Sequence, residues 1–354
     1  MSDYPTAEIV VLTALDVEYA AVRSHLTGLT RVPYRGTQYE TGRLGERGPS
    51  VAIVEIGAGN VGAAIEAERA VSRFQPALLL FVGVAGGLKD AEIGDVVVGT
   101  KAYGYDTGKD TEILLSRPDV AIASYSLEQL ARAVRQDGRW LARRAVTRFD
   151  PKDSFDAFVG PIAAGEKVVA SLDSSTYKLI KANFNDALAV EMEAIGVLRA
   201  VRANAGLGAL VVRGVSDLVE NKATSDNAGS QAVASASAAA FAAELIALWA
   251  DQAPTSESSA AAEVAGSSQT PAGFWSNLEQ VAASLYETGP QHDDLWSRAG
   301  GDVSALDLSG SGRAKWHRAV RKLQNGGGGT TASRLLSTMQ ADYPSHLGVR
   351  ALSE

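Results

Sequence analysis

Residues 187–218, ALAVEMEAIGVLRAVRANAGLGALVVRGVSDL, decide the predicted fold of this chain. The stretch predicts a short apolar strand, a helix that opens on the acids Glu191 and Glu193, and a buried strand that ends at Asp217. Ligand sites of open α/β sheets lie in the crevice beyond the carboxyl ends of the strands. We therefore expect these acids to converge on a ligand site at that edge of a sheet.

The rest of the large N-terminal part alternates strands with helices, which predicts an α/β fold of three layers around a mostly parallel sheet. Strands are predicted at residues 8–14, 39–44, 51–56, 77–82, 93–100 and 161–169, and helices at 16–25, 127–145, 175–183 and 232–250. The strand over 77–82 is expected to end in a glycine-rich turn at 83–87. The Ala-rich segment 232–250 contains two serines and a glutamate, which favours a helix packed on the sheet over a membrane span.

Composition excludes several classes of protein. The chain of 354 residues is 46% hydrophobic, carries a net charge of −8 and contains no cysteine. An acidic chain without a basic stripe is a poor binder of nucleic acid. The lack of cysteine excludes disulfides, thiolate zinc sites and a cysteine nucleophile, and fits a reducing compartment. With no basic leader at its start, the sequence predicts a cytoplasmic protein without a nucleic-acid or membrane partner.

Two domains are expected. Residues 1–250 form the large domain, and residues 251–273 are rich in Ala, Ser, Pro and Gly, which is typical of a flexible linker. Residues 274–354 then predict a small unit of three to five helices.

The motif Gly57-x-Gly59-x-x-Gly62 follows a strand and opens a helix, as in a dinucleotide-binding fingerprint. That fingerprint also needs an acid at the end of the next strand, which this chain lacks there. A tight turn with close backbone approach to another ligand is the favoured interpretation. Because His25 is the one histidine of the large domain, a Ser-His-Asp triad or a histidine-rich metal site is disfavoured, and acid–base chemistry falls to carboxylates.

Three carboxylates, Glu18, Glu193 and Asp217, follow or end predicted strands of one sheet. Each alone has a structural explanation, because acids are favoured in the first turn of a helix and Asp is a common helix cap. As a set they suit cleavage of a glycosidic bond. One group protonates the leaving group, one activates water and one supports a sugar that gains positive charge.

With these residues in place, the large domain resembles the nucleoside phosphorylase superfamily and, within it, the methylthioadenosine/S-adenosylhomocysteine nucleosidases. The matching segments, in family order over about residues 7–250, are VLTALDVEYAAV (11–22), EIGAGNVGAA (55–64), FVGVAGGLKDAEIGDVVVG (81–99), VEMEAIGVLRAV (190–201) and VVRGVSDL (211–218).

The resemblance implies roles at the reacting bond. Glu18 would be the base that activates the water, and Asp217, helped by Ser216, would protonate N7 of an adenine-type base. The main chain near Val168 and Val169 matches the segment that contacts the purine.

The same resemblance implies a ribose site at the head of the helix. Glu193 would bind the 2′- and 3′-hydroxyls, with Met192 against the sugar and Glu191 nearby. A turn lining the site would comprise Leu15, Gly57, Ala58, Gly59, Val84, Ala85 and Gly86.

Neither a metal nor a cofactor is expected. Related phosphorylases hold phosphate with an arginine and a serine where this chain has Phe81 and Val84, so water is favoured as the nucleophile. The nucleosidases usually keep a serine at the position of Val84, and this chain departs from that pattern as well.

Leu15 and Ala58 suit a methylthio group at the 5′ end without excluding a 5′-phosphate. Adenine nucleosides and adenine nucleotides both remain candidate substrates.

The C-terminal unit resembles the first type of bacterial effector-associated domain over about residues 274–350, through RAGGD, KWHRAV and GGGG. Such a helical adaptor implies a protein partner that carries a similar adaptor, and a role as an antiphage effector that depletes adenine nucleotides. The resemblance of the large domain implies a homodimer. Two further hypotheses remain open: an idle nucleoside sensor that keeps the fold, and a phosphate-dependent phosphorylase.

Overall fold

The computed structural model describes residues 6–109, 111–112, 115–204, 206–219, 229–252, 274–324, 327–344, 346, 348–349 and 352. The chain divides into two compact units, Met1–Ser256 and Glu257–Glu354. Residues 253–273, most of the predicted linker, lie outside the described residues, and Asp251 and Gln252 belong to a helix.

The large unit contains twelve described strands: β1 (Ile9–Thr13), β2 (Leu26–Tyr34), β3 (Thr37–Leu44), β4 (Ser50–Glu55), β5 (Leu78–Gly87), β6 (Val96–Gly104), β7 (Gly108–Lys109), β8 (Leu115–Ser116), β9 (Asp119–Ile122), β10 (Ala157–Ala164), β11 (Ala189–Glu191) and β12 (Gly208–Leu218). Its described helices are α1 (Asp16–Arg23), α2 (Asn60–Phe74), α3 (Tyr125–Asp137), α4 (Trp140–Arg143), α5 (Ser175–Asn183), α6 (Ala194–Ala203) and α7 (Ser230–Gln252).

Ten of these strands form one mixed sheet with the order β11-β10-β6-β12-β5-β1-β4-β3-β2, and β9 pairs with β6. β5 lies at the centre of the sheet, where it pairs in parallel with β1 on one side and with β12 on the other. Its apolar residues are buried on both faces, as expected of a parallel strand covered by helices. The predicted α/β fold is confirmed.

Helices cover the two faces of the sheet and bury two hydrophobic clusters. α2 and α6 pack together on one face, while α1, α3 and α7 share the other. α7 is long and apolar enough to cross a membrane, but 72% of its most apolar window is buried inside this unit, where it packs on β12 and β5. It is therefore a core helix, as the sequence predicted.

Several predicted boundaries were wrong near the candidate site. The segment 83–87 is not a turn, since β5 continues through it to Gly87. The helix α6 begins at Ala194 with Glu193 as its N-cap, and Glu191 ends β11. The strand predicted at 161–169 is β10, which ends at Ala164. β2 was not predicted, and Gly138, in a left-handed conformation, separates α3 from α4 within the predicted helix 127–145.

The second unit contains the described helices α8 (Phe274–Leu285), α9 (Leu295–Arg298), α10 (Gly312–Gln324) and α11 (Ala332–Asp342). Its core surrounds two fully buried indoles, Trp296 and Trp316. Each buried indole N–H has a partner: Trp296 Nε1 donates to the carbonyl of Gly328 at 3.0 Å, and Trp316 Nε1 donates to that of Tyr286 at 2.9 Å. The structure thus shows a small helical unit with its own core.

Candidate active site

A cavity of about 240 Å³ lies at the carboxyl ends of β1, β5 and β12, where the sequence predicted the acids to meet. Most predicted site residues line it: Leu15, Glu18, Ala58, Val84, Ala85, Gly86, Val168, Val169, Glu191, Met192, Glu193, Ser216 and Asp217. Gly57 and Gly59 are not among the lining residues, although Gly59 contacts Glu193. The structure brings the predicted residues together, and their chemical roles stay predictions.

Glu18 lies in the first turn of α1 and is 2% exposed. Its Oε2 accepts hydrogen bonds from the main-chain N–H of Ala14 (2.7 Å) and Leu15 (3.0 Å), and its Oε1 accepts one from Val84 (2.7 Å). Burial raises the pKa of Glu18, while the charge of Arg213 and these N–H donors oppose the rise. A fixed carboxylate with a raised pKa is suited to accept a proton.

Arg213 is a fully buried cation in β12 that organises two of the acids. Its Nη2 donates hydrogen bonds to Oε2 of Glu191 and to Oε2 of Glu193, the latter at 3.0 Å. Its guanidinium lies over the ring of Phe81, 3.9 Å from the centroid. Burial raises the pKa of Glu191 to about 7, against the lowering effect of Arg213. This arginine holds both carboxylates at the cavity wall.

Gly83 leaves the space that Arg213 and Glu18 need. A Cβ at this position would lie 2.2 Å from Arg213 Nη1 and 2.5 Å from Glu18 Oε1. Arg213 and Gly83 were not predicted as site residues. The available signal was the single charge inside the apolar run VVRGV, because a buried charge needs a partner.

Asp217 lies within β12, beside Gly86 of β5, and is 3% exposed. The register between the two strands shifts between Val215 and Asp217, which is a β-bulge. Successive residues of a regular strand point to opposite faces, and the bulge lets both Ser216 and Asp217 line the cavity. Ser216 Oγ donates a hydrogen bond to Asp217 Oδ2 at 3.0 Å. This contact orients the carboxyl group.

The turn before α2 contacts Glu193 through its main chain. Gly57 and Gly59 have φ of 76° and 108°, which favour glycine. The N–H of Gly59 donates to Glu193 Oε1 at 3.1 Å, and Asn60 Oδ1 accepts from the N–H of Gly196 at 3.0 Å. The turn therefore contributes to the site mainly by fixing Glu193.

The loop after β10 forms another wall of the cavity. Val168 is 60% exposed and Val169 is buried, and both line the cavity together with Lys167. Lys167 Nζ lies 3.2 Å from Oδ1 of Asp106. Gln231, at the start of α7, also lines the cavity. Lys167 and Gln231 were not predicted, because neither belongs to a sequence motif that carries chemistry.

Comparison with known proteins identifies the family of this chain, since the family model described as the phosphorylase superfamily matches residues 8–247. The chain belongs to the phosphorylase superfamily. The 5′-methylthioadenosine/S-adenosylhomocysteine nucleosidase of Staphylococcus haemolyticus is 26% identical over 217 residues, which are 60% of this chain and 87% of that protein. The same-named enzyme of Staphylococcus aureus strain RF122 is 27% identical over 223 residues, with the same coverage.

Solved structures of two other enzymes share the fold of the large unit. The nucleosidase of Colwellia psychrerythraea, solved with adenine, has a TM-score of 0.58 at 21% identity and covers 69% of this chain and 96% of its own. Futalosine hydrolase of Helicobacter pylori has a TM-score of 0.56 at 20% identity and covers 68% and 97%. These likenesses show that the large unit has the same fold as these two enzymes.

Proposed function

We propose that the large unit is a purine nucleosidase that hydrolyses the bond between adenine and ribose. One observation carries the proposal: Glu18, Glu193 and Asp217 line a single cavity, although they come from three segments that all adjoin β5, after β1, after β11 and within β12. The superfamily relatives named as nucleosidases and as futalosine hydrolase support the same reaction class. The substrate is a methylthioadenosine-like nucleoside or an adenine nucleotide.

In the proposed reaction, water attacks C1′ of the ribose as the bond from C1′ to N9 of the purine breaks. Glu18 accepts a proton from the attacking water, and Asp217 donates a proton to N7, so the base leaves as neutral adenine. Glu193 binds the ribose hydroxyls, and its negative charge stabilises the positive sugar of the transition state. Arg213 and the N–H of Gly59 keep Glu193 in place for this role.

Water is favoured over phosphate as the nucleophile. Phe81 and Val84 occupy the positions at which related phosphorylases hold phosphate, and neither side chain binds an anion. The main-chain N–H of Val84 already donates to Glu18. Arg213 is engaged by Glu191 and Glu193. A phosphate entering this cavity would instead meet carboxylates.

Adenine release from purified protein tests the proposal. Methylthioadenosine, S-adenosylhomocysteine, adenosine, AMP and ATP are incubated in parallel, with and without phosphate, beside Asp217→Asn as the inactive control. Phosphate-independent release that Asp217→Asn abolishes supports hydrolysis, and the substrate that reacts identifies the 5′ group. Release that requires phosphate would instead support a phosphorylase. Failure of every substrate would favour the nucleoside-sensor hypothesis.

We also propose that the second unit recruits this enzyme as an effector through a protein with a similar adaptor. The separate helical core of residues 274–352 supports an independent binding unit. Affinity purification with the intact chain and with a Trp316→Ala chain tests this role. Recovery of a partner with the intact chain alone supports it, and equal recovery with both contradicts it.

We further propose a homodimer formed through the large unit. Val61 and Ile65 of α2 are 71% and 53% exposed and lie one helical turn apart, which suits an apolar contact between copies. Light scattering should give twice the chain mass of 36.9 kDa. Val61→Glu should reduce that mass to one chain, and an unchanged dimer would place the contact elsewhere.

A further inference from the structure

The helix α2 begins beside the cavity without a side-chain cap of its own. Its N-cap is Gly59, and the first N–H groups of a helix need acceptors and carry partial positive charge. Two carboxylates from other segments supply them. The N–H of Gly59 donates to Glu193 Oε1 at 3.1 Å, and the N–H of Asn60 donates to Glu166 Oε1 at 3.2 Å. The segment of Glu193, assigned to the ribose, and the segment of Glu166, assigned to the purine, thus meet at the N-terminus of α2.

Glu166 belongs to the loop 165–169, which carries Val168 and Val169 into the cavity wall. Other contacts anchor this loop to Glu191, Asp106 and Tyr105, and the first of them is the hydrogen bond from the N–H of Gly165 to the carbonyl of Glu191 at 3.1 Å. The N–H of Glu166 donates to Asp106 Oδ2 at 2.6 Å, and Tyr105 donates its hydroxyl hydrogen to the carbonyl of Lys167 at 3.0 Å. Within the part of the chain that the structure describes, the Glu166 side chain makes the hydrogen bond that joins this loop to the turn at 57–60.

We propose that Glu166 is a positioning residue for the proposed reaction. The bond from the Asn60 N–H to Glu166 Oε1, here called the Glu166 clasp, joins the wall at Val168 to the wall at Ala58. The clasp also holds the turn that contains Gly59, and the N–H of Gly59 fixes Glu193. This inference rests on the proposed function, because it assigns the purine to one wall and the ribose to the other.

Loss of the clasp should weaken substrate binding more than it slows the chemical step. The base Glu18 and the acid Asp217 are held by other contacts, from Val84 and Ser216 among others, and Glu193 keeps its hydrogen bond from Arg213. Glu166→Ala should therefore raise KM for methylthioadenosine about three- to tenfold, the range of one modest hydrogen bond, and change kcat less than about twofold. Glu166→Gln keeps an oxygen acceptor for Asn60, so it should restore most of the lost binding.

The experiment measures KM and kcat for adenine release from methylthioadenosine with the wild type, Glu166→Ala and Glu166→Gln. Glu92→Ala is the matched control, because Glu92 is an exposed acid that pairs with Lys152 and does not line the cavity. The expected result is a higher KM for Glu166→Ala alone. A KM equal to that of Glu92→Ala, or equal losses in Glu166→Ala and Glu166→Gln, would overturn the proposal.

Hydrogen exchange without substrate separates this inference from the proposed function. Glu166→Ala should speed amide exchange about fivefold or more in both 57–62 and 165–169, whereas Glu166→Gln and Glu92→Ala should stay near the wild type. Absence of adenine release by the wild type would refute the nucleosidase, and the exchange rates would still test the clasp. Unchanged exchange in Glu166→Ala would refute the clasp even in an active enzyme.

Discussion

Replacing Arg213 with methionine should destabilise the large unit more than any loss of a surface charge. Methionine retains the apolar stem that packs in β12 and removes the guanidinium. Arg213 bonds Glu191 and Glu193, and its charge also acts on Glu18. All three carboxylates are 5% exposed or less. The variant Arg213→Met therefore leaves three buried acids without their shared cation.

The expected cost follows from this burial. Removing one partner of a buried ion pair costs about 3–5 kcal/mol, out of a total stability of about 5–15 kcal/mol. For a unit of this size, the melting temperature should fall by roughly 6–20 °C. Differential scanning calorimetry measures it, with the larger unit giving the larger transition. Arg132→Met is the control, because Arg132 and Glu128 form a partly exposed pair on α3 that contributes at most about 1 kcal/mol.

The loss should also depend on pH. The pKa of Glu191 is raised from 4.5 to about 7, so between these values the folded state binds more protons than the unfolded state. Stability therefore falls as pH rises through this window. Because Arg213 lowers the pKa of Glu191 and of Glu18, its removal extends the decline to higher pH. The gap between variant and wild type should be wider at pH 8.5 than at pH 5.5.

Two results would refute this reasoning. If Arg213→Met melts within the range of Arg132→Met, the guanidinium does not offset the burial of these acids. If the variant is destabilised equally at pH 5.5 and pH 8.5, the loss comes from packing against Phe81 and not from charge.

Three further predictions concern single substitutions and pH. Gly83→Ala should lower the free energy of unfolding by about 1–3 kcal/mol and remove most of the activity, since its Cβ would collide with Arg213 and Glu18. Gly62→Ala is the control for melting and adenine release, because a Cβ at Gly62 meets no atom within 4 Å. The pKa of Glu18 is raised above 4.5, and the proposed base must lose its proton before it can act, so kcat/KM should increase as the pH rises above 4.5. A kcat/KM that stays constant from pH 4.5 to 7 would contradict the role of Glu18 as the base. Trp316→Ala should destabilise the helical unit by about 3–5 kcal/mol in calorimetry while adenine release by the large unit stays unchanged, and a loss of both would show that the two are coupled.

The sequence predicted the strands that carry the site because buried parallel strands are continuous apolar runs. It failed at 83–87, where Gly-rich sequence favours a turn. The strand continues there because its glycines accept neighbours at close range, with Glu18 and Arg213 against Gly83 and Asp217 Oδ1 3.2 Å from a Cβ on Gly86. Those neighbours belong to other elements, so local sequence carries no sign of them.

The contacts that tune the acids were equally hidden. The isolated charge of Arg213 indicated that this residue has a buried partner. The identity of the partners, Glu191 and Glu193, depends on the pairing of both β11 and β12 with β5. Glu166 is exposed and belongs to no motif, and its acceptor role at Asn60 joins residues 106 positions apart. Residue type predicted the carboxylates, whereas the sheet topology determines what fixes them.

The charge balance of the cavity connects its stability with its chemistry. Glu18, Glu191, Glu193 and Asp217 line it, and Arg213 is the buried cation paired with two of them. Buried acids in excess of cations destabilise a fold, and burial accordingly raises the pKa of Glu18 and of Glu191. In the proposed reaction, the same excess favours a ribose that gains positive charge in the transition state and disfavours an anionic nucleophile. A neutral water is therefore the nucleophile that this cavity admits at least electrostatic cost.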